Sequence, residues 1–262
     1  MKTWVVGDVH GAAKALKQVL ERAPISKGDK IIFLGDMCDG WSETFEVIEI
    51  CLELSKEYEC IFIRGNHDDE FVNWINTGVH RWFWEQGASA TAISYIRHAD
   101  RTCTMAENYT GFVTNLTTFD LPISHVDFFR GQHFYYIDDN KNCFVHGGFN
   151  RHMEFKGQSS RVYFWDRDLW NAALGYESMI DDDGLYGKLK NRFKMKDDFE
   201  NVFIGHTATV NWGLDTPMKA ANIWNLDTGA GFKGKLTIMN VDTKEYFQSD
   251  NVQDLYPDEK GR

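Results

Sequence analysis

Asp8 and His10 stand two positions apart in Gly7-Asp8-Val9-His10-Gly11, directly after the apolar stretch Trp4-Val5-Val6. An apolar run ending in Gly, Asp, Asn or His recurs four times: Leu34-Gly35-Asp36, Arg64-Gly65-Asn66-His67, Val145-His146-Gly147-Gly148 and Ile204-Gly205-His206. Asp8, His10, Asp36, Asn66, His146 and His206 together offer oxygen and imidazole donors without a thiolate. Such a mixture suits manganese, iron or zinc better than calcium. Six donors exceed what one ion needs and match two ions that share one carboxylate. Each motif alone has an ordinary reading as a turn or a cap, and glycine tolerates the positive φ that tight turns require. Their recurrence in one strand-end context is what points to a metal centre.

The elements that must position these residues follow from periodicity. Residues 12–23 carry Leu16, Val19 and Leu20 at helical spacing, and 44–58 form a second helix with Phe45, Val47, Ile48, Cys51, Leu52 and Leu54 mostly inward. Lys30-Ile31-Ile32-Phe33-Leu34 and Cys60-Ile61-Phe62-Ile63 are continuous apolar runs, as in strands buried on both faces. Two β-α-β units in succession imply a parallel sheet with right-handed crossovers. Ligand groups in such sheets gather beyond the carboxyl ends of the strands, so motifs far apart in sequence can converge. Residues 69–131 read as an aromatic, mainly helical insertion that includes Phe71, Trp74, Trp82, Phe83 and Trp84. Strands are expected at 134–137 and 142–145, then an irregular stretch over 149–200 with a polar helix near 185–196. Further strands follow at 201–204, 221–226, 235–241 and 246–249. The expected organisation is one domain over 1–250, with insertions at about 69–131 and 149–200, and a polar tail over 251–262, frayed from Gln253 to Arg262.

The chain has 262 residues, 43% hydrophobic and 15% aromatic, enough for a sizeable core. A formal charge of −11 offers no basic surplus to displace counterions from a nucleic-acid backbone, so nucleic acid is not an expected partner. Five scattered cysteines, odd in number and without a C-x-x-C pair, fit reduced thiols in a cytosol. No long apolar run suggests a membrane span, and the chain is read as cytoplasmic.

The quoted motifs resemble those of the metallo-dependent, calcineurin-like phosphoesterases, within them the serine/threonine phosphoprotein phosphatase branch. The carriers are Gly7-Asp8-Val9-His10-Gly11, Gly35-Asp36-Met37-Cys38-Asp39-Gly40, Arg64-Gly65-Asn66-His67-Asp68, His146-Gly147-Gly148 and Gly205-His206-Thr207. The small bacterial and phage phosphatases and the symmetrical dinucleoside tetraphosphate hydrolases are similar too, the latter also in a stretch like Leu226-Asp227-Thr228-Gly229. The resemblance implies an α/β fold, an α-β-β-α sandwich with a helical insertion and a dinuclear site at its edge. It implies that Asp8, His10 and Asp36 hold one metal, and that Asp36 bridges to a second held by Asn66, His146 and His206. Manganese is the first expectation, with iron or zinc as alternatives. Two ions roughly 3.5–4 Å apart can clamp both oxygens of an in-line displacement and acidify a bridging water to hydroxide. No phosphoenzyme is then expected.

The resemblance further implies that His67 protonates the leaving oxygen while Asp39 fixes its tautomer. Asp39 could also serve as a helix N-cap. The family usually places an arginine directly after this aspartate to grip the phosphate, whereas this chain has Gly40. Arg167, in Trp165-Asp166-Arg167-Asp168, is the first candidate for that grip, against a surface ion pair with Asp166 or Asp168. Arg64 is expected to prop the loops. The leading expectation is a serine/threonine protein phosphatase, whose substrate is a phosphorylated protein or a small phosphoester. The alternative is a dinucleoside polyphosphate hydrolase, and a third is a catalytically weak binding protein on the same fold. The missing basic residue after Asp39 weighs against a polyphosphate, while Trp82-Phe83-Trp84 offers it rings.

Overall fold

The computed structural model describes residues 1–79, 86–108, 111–179 and 193–262. Its apolar runs form strands whose successive side chains face different layers. In β1 (Thr3–Val6), Trp4 and Val6 join one buried cluster and Val5 another. In β2 (Lys30–Phe33), Ile31 and Phe33 pair with the first cluster and Ile32 with the second. Strand side chains alternate between faces, so an uninterrupted apolar run needs an apolar layer on each side.

Helices α1 (Ala13–Arg22) and α2 (Thr44–Glu57) supply one layer, with Leu16, Val19, Val47, Ile48 and Cys51 packed beside Trp4 and Phe33. Strand β3 (Glu59–Phe62) completes two β-α-β units. The strands pair in parallel and in register, so Val6, Phe33 and Phe62 lie abreast. The loops leaving β1, β2 and β3 therefore emerge side by side.

The insertion holds α3 (Asn66–Thr77), α4 (Ala88–His98) and α5 (Ile123–Gly131), as expected, but also an antiparallel hairpin of β4 (Met105–Asn108) and β5 (Gly111–Thr114). The ring cluster Trp82, Phe83 and Trp84 lies outside the described residues. Strands β6 (Tyr135–Ile137) and β7 (Asn142–Val145) open a second sheet, followed by α6 (Ser160–Trp165) and α7 (Asp168–Met179). Most of the polar helix expected over 185–196 lies outside the described residues, and 193–196 are not helical. Strands β8 (Asn201–Ile204), β9 (Met218–Ala220) and β10 (Ile223–Asn225) complete that sheet. The single strand expected over 221–226 is instead half of a hairpin, because Ala221 at φ 50° turns the chain between β9 and β10. Strands β11 (Thr237–Asn240) and β12 (Tyr246–Gln248) return to the first sheet, and α8 (Val252–Leu255) follows.

The sheet orders are β12-β11-β1-β2-β3 and β6-β7-β8-β10-β9. They face each other across Val5, Ile32, Leu34, Ile63, Phe144, Phe203, Leu226 and Met239. The outer face of the second sheet packs Cys143, Val145, Val202 and Ile204 against Tyr163, Phe164, Leu169 and Trp170 of α6 and α7. This is the expected α-β-β-α sandwich. Strands β7, β8 and β10 run parallel, so the loops after Val145, Ile204 and Asn225 also emerge together. Among the described residues no helix is long and apolar enough to cross a membrane.

The segment 252–262 is packed rather than frayed. Tyr256 is buried and stacks on Trp41 with centroids 5.1 Å apart, while Glu259 accepts hydrogen bonds from the Ser42 amide (3.0 Å) and hydroxyl (2.7 Å). Its polarity meets polar partners at the sandwich edge, which composition alone does not display.

The rings of Phe144 and Phe203 stack at 5.0 Å between the sheets. Phe144→Ala should cost about 3–5 kcal/mol by urea unfolding; a loss under about 1 kcal/mol would show that the sheets collapse around the vacated space.

Candidate active site

Six strand ends deliver the site. Asp8 and His10 follow β1, Asp36 follows β2, Asn66 and His67 open α3 after β3, and His146 and His206 follow β7 and β8. The sixth is the end of β10, which brings Asp227. The structure thus brings together all six expected metal-ligating residues and the pair of His67 and Asp39. All are buried.

The loops lock one another. The amides of Val9 and His10 both donate to the Asp36 carbonyl (3.1 and 2.8 Å), Gly11 donates to Met37 (2.9 Å), and Gly205 to His146 (2.8 Å). His10, Asp36, Asp39 and His206 all have φ between 50° and 68°, left-handed backbone that is costly for these residue types. Such strain persists where surrounding contacts over-determine it, and it clusters at functional sites. Asp68 ties the loops further: its carboxylate accepts from the amides of Met37 (2.8 Å) and Gly65 (3.0 Å) and from the Gln132 side chain (2.9 Å). Backbone approaches the carboxylates closely: a Cβ on Gly65 would lie 2.0 Å from Asp36 Oδ1, and one on Gly205 1.9 Å from Asp8 Oδ1.

The hydrogen bonds aim one atom of each donor at a common centre. His146 Nδ1 donates to the Leu34 carbonyl at 2.8 Å, so Nε2 bears either a lone pair or a second proton. That nitrogen faces Asn66 Oδ1 at 3.0 Å and Asp36 Oδ2 at 3.3 Å. His10 Nδ1 lies 2.7 Å from the Asp39 carbonyl, which turns Nε2 towards Asp36 Oδ2 at 3.7 Å and Asp8 Oδ2 at 3.9 Å. Asp8 Oδ1, Asp36 Oδ2 and His206 Nε2 are buried without a hydrogen-bond partner. Electron-rich atoms converging in a buried site require a cation. Two groups meet that geometry, Asp8–His10–Asp36 and Asp36–His146–His206, with Asp36 common to both. The donors therefore fit two divalent ions that share Asp36, and Asn66 Oδ1 lies where it can join the second.

Charge in the site is strongly coupled. Burial, then the neighbouring Asp227, pushes the Asp8 carboxyl well above its usual range. Burial acts the same way on Asp36, but the His146 and His67 imidazoles outweigh it and hold Asp36 well below. Burial would lower His146, yet Asp36 and Asp8 raise it to about 9. Burial, then His146, lowers His206 well below the imidazole range.

His67 Nδ1 bonds Asp39 Oδ2 at 2.8 Å, while its Nε2 is buried and has no partner. Asp39 also accepts from the Thr91 hydroxyl of α4 at 2.6 Å. Arg64 props the loops as expected, donating to the carbonyls of Phe129 (2.9 Å) and Arg130 (3.1 Å). Arg167 forms no ion pair with Asp166 or Asp168; Asp166 instead accepts from the Leu169 amide at 3.0 Å. Arg167 lines the same groove as Trp165, whose ring lies 6.0 Å from that of His206, which places it at the rim of the site.

Three residues escape a reading of sequence alone. Asp227 is buried beside Asp8, and burial raises its carboxyl to about 6. The strand expected over 221–226, running into Asp227, is its signal. Thr91 carries none. Arg262 reaches the site from the tail and donates from Nη1 to His10 Nε2 at 3.0 Å.

Asp36→Asn should reduce bound manganese to less than one ion per chain, since both positions lose a carboxylate oxygen. Elemental analysis of the dialysed protein checks this, and two retained ions would remove Asp36 as the shared ligand.

The sequence profile of the calcineurin-like phosphoesterases matches residues 1–210. The chain is 23% identical over 281 residues to a symmetrical bis(5'-nucleosyl)-tetraphosphatase of Coxiella burnetii, covering 94% of this chain and 90% of that one. Among solved structures, a candidate diadenosine tetraphosphatase superposes with a TM-score of 0.61 at 12% identity, covering 95% of this chain and 93% of the other. A serine/threonine phosphatase from Saccharomyces cerevisiae superposes with a TM-score of 0.55 at 14% identity, covering 100% and 82%. At that identity the superpositions establish shared fold. With four-fifths of its length matched and its donor groups converging at the strand ends, this chain belongs to the calcineurin-like phosphoesterases.

Proposed function

We propose that the chain hydrolyses a phosphoanhydride bond in a dinucleoside polyphosphate or a closely similar small molecule. The observation that carries this reading is a pair of cavities adjoining the buried donors, each furnished with a ring and cations. One, an open groove of about 440 Å³, is lined by Arg161, Trp165 and Arg167, with the carboxylates of Asp166 and Asp168 also on its wall. Its Trp165 ring lies 6.0 Å from that of His206, and the Arg161 guanidinium sits 5.4 Å over Trp165. The other, of about 430 Å³, is lined by Phe232, Lys233, Lys260 and Arg262, and Arg262 in turn bonds His10. A base can stack on a ring, and a chain of phosphates needs cations along its length. The Coxiella burnetii relative carries the name of a symmetrical tetraphosphatase along nearly its whole length, which supports the same substrate class.

When bound, two divalent ions would supply Lewis-acid stabilisation of the phosphoryl oxygens and an acidified water. Asp8, His10 and Asp36 would hold one of them; Asp36, Asn66, His146 and His206 would hold the other. The chain's own groups do the rest. A water oxygen bonds to phosphorus as the bridging P–O bond breaks, and His67 gives a proton from Nε2 to the departing oxygen. Asp39 holds the opposite nitrogen, and Thr91 holds Asp39, so the ring presents one edge to the leaving group. Arg167 offsets phosphate charge. Glycine and backbone packing around Asp36 and Asp8 keep the carboxylates from rotating away.

The second reading is a serine/threonine protein phosphatase. The donor set serves it equally, and Thr207 and Ala208 after His206 suit that branch of the family. A manganese-supplemented panel of diadenosine tetraphosphate, a phosphoserine peptide and p-nitrophenyl phosphate decides between them. The anhydride should have the highest kcat/KM, by about tenfold or more given the cations it can engage. A preference of that size for the phosphopeptide would replace this reading with the second.

His67→Asn should retain two manganese ions but lower kcat by roughly 10²–10⁴-fold, the contribution of a positioned general acid. The loss should be smaller for p-nitrophenyl phosphate, whose leaving group needs little protonation. An equal loss on every substrate would count against the acid role.

A further inference from the structure

The chain lacks an arginine after Asp39, and its backbone there is arranged for a different solution. Gly40 has φ 130°, a conformation that residues with a side chain rarely adopt. A Cβ at this position would lie 3.1 Å from the His10 carbonyl and 3.2 Å from His10 Cβ. Gly87, at φ 90°, lies against it, with its own Cβ direction 2.8 Å from the Gly40 nitrogen. The two glycines leave a shallow trench at the rim of the donor cluster.

Arg262 fills that trench. Its Cγ lies 3.5 Å from the Cβ direction of Gly40 and 3.1 Å from that of Gly87. Its backbone nitrogen donates to the Gly231 carbonyl at 2.8 Å, its guanidinium lies 5.1 Å over the Phe232 ring, and Nη1 reaches His10 Nε2. The segment leading to it is fastened along its length. Val252 donates to Gly234 (2.9 Å), Tyr256 stacks on Trp41 and bonds Glu43, and Glu259 holds Ser42. Gln253 braces the turn by donating to the carbonyls of Tyr256 (3.0 Å) and Glu259 (2.7 Å). A flexible arginine would gain nothing from such anchoring; a positioned one would.

We propose that Arg262, carried into the Gly40–Gly87 trench by the 252–262 strap, is the residue that grips the substrate's phosphoryl group in place of the missing arginine at 40. The proposal rests on the phosphoryl-hydrolase reading but not on which substrate is preferred. Two observations support it beyond position. Among the described residues neither Arg262 nor Arg167 has a carboxylate ion pair, although both act at the same rim. A guanidinium without a carboxylate partner keeps its donors available, and phosphate matches the planar fork of arginine. Moreover, a guanidinium has donors and no acceptor, so its contact with His10 uses the Nε2 lone pair. An imidazole that ligates metal through Nε2 cannot keep that bond, and the Nη1 donor is then free for a phosphate oxygen.

Calorimetric titration of inorganic phosphate into the manganese-loaded protein tests the role without relying on turnover. Arg262→Ala and Arg262→Lys are compared with the unaltered chain, with manganese content and thermal midpoint measured on each. All three should hold two ions. Phosphate affinity should fall by about 10–100-fold in Arg262→Ala, the range for a lost charge-assisted hydrogen bond, and by less in Arg262→Lys, which keeps the charge without the fork. Unchanged phosphate affinity with both ions bound overturns the proposal. Tighter manganese binding with unchanged phosphate affinity overturns it too, since the guanidinium would then merely occupy a cation's place. If Arg262→Ala does not fold, Arg262→Lys keeps the aliphatic stem in the trench and gives the same reading. Inorganic phosphate probes the phosphoryl site whichever substrate is preferred, so a phosphopeptide preference in the substrate panel leaves this result standing.

Discussion

Everything in this site depends on where the Asp36 carboxylate is held. Its Oδ1 accepts from the His67 amide at 2.9 Å, which fixes the group to the first turn of α3. Its Oδ2 is left facing His146 and His10 without a hydrogen-bond partner. A buried carboxylate oxygen with no donor is costly unless a cation completes it. Asp8 and Asp227 deepen the requirement, because three buried acids in one place resist ionising together. Two divalent ions would resolve that conflict, and the left-handed backbone at His10, Asp36, Asp39 and His206 is the conformational cost of arranging the donors. Gly65 and Gly205 are required for the same reason, since any side chain there would strike a carboxylate.

The catalytic roles divide along the architecture. The first sheet supplies Asp8, His10, Asp36, Asn66 and His67 from strands that end abreast, and the second supplies His146, His206 and Asp227 in the same way. The sandwich core between the sheets therefore sets the distance between the two halves of the donor set. The groups proposed to meet the substrate come from elsewhere: Thr91 behind Asp39 from the insertion, Trp165 and Arg167 from the layer over the second sheet, Arg262 from the strap. On that proposal the metal-facing donors sit at the ends of the sandwich strands, and the substrate-facing groups come from the insertion, the outer helical layer and the strap.

That division also explains what could be read from residues alone. Strands such as Val5-Val6 and Ile31-Ile32-Phe33 announce themselves because burial on two faces demands unbroken apolar runs, and each such run ends in a donor. The sandwich and the convergence of the six donor residues follow from that pattern together with the family resemblance. The β4–β5 hairpin and the turn at Ala221 were not legible, since short alternation and one unusual φ leave almost no trace in composition. Arg262 was the largest miss. Its strap is polar, and its hydrogen bonds run to Ser42, Glu43 and Gly231, partners more than 30 or 200 positions away that no local pattern discloses. Gly40 marked the gap but not what fills it, and the objection it raised to a polyphosphate substrate weakens once Lys233 and the strap's Lys260 and Arg262 stand beside one groove.

The central claim is that Asp36 joins two metal ions into one centre. Electron paramagnetic resonance of the protein loaded with manganese tests it directly. Full loading should give a spin-coupled signal from paired ions, with the uncoupled six-line spectrum of isolated manganese prominent only when loading is partial. A spectrum of isolated ions at full loading would contradict it, because the Asp36 carboxylate would then serve one ion alone.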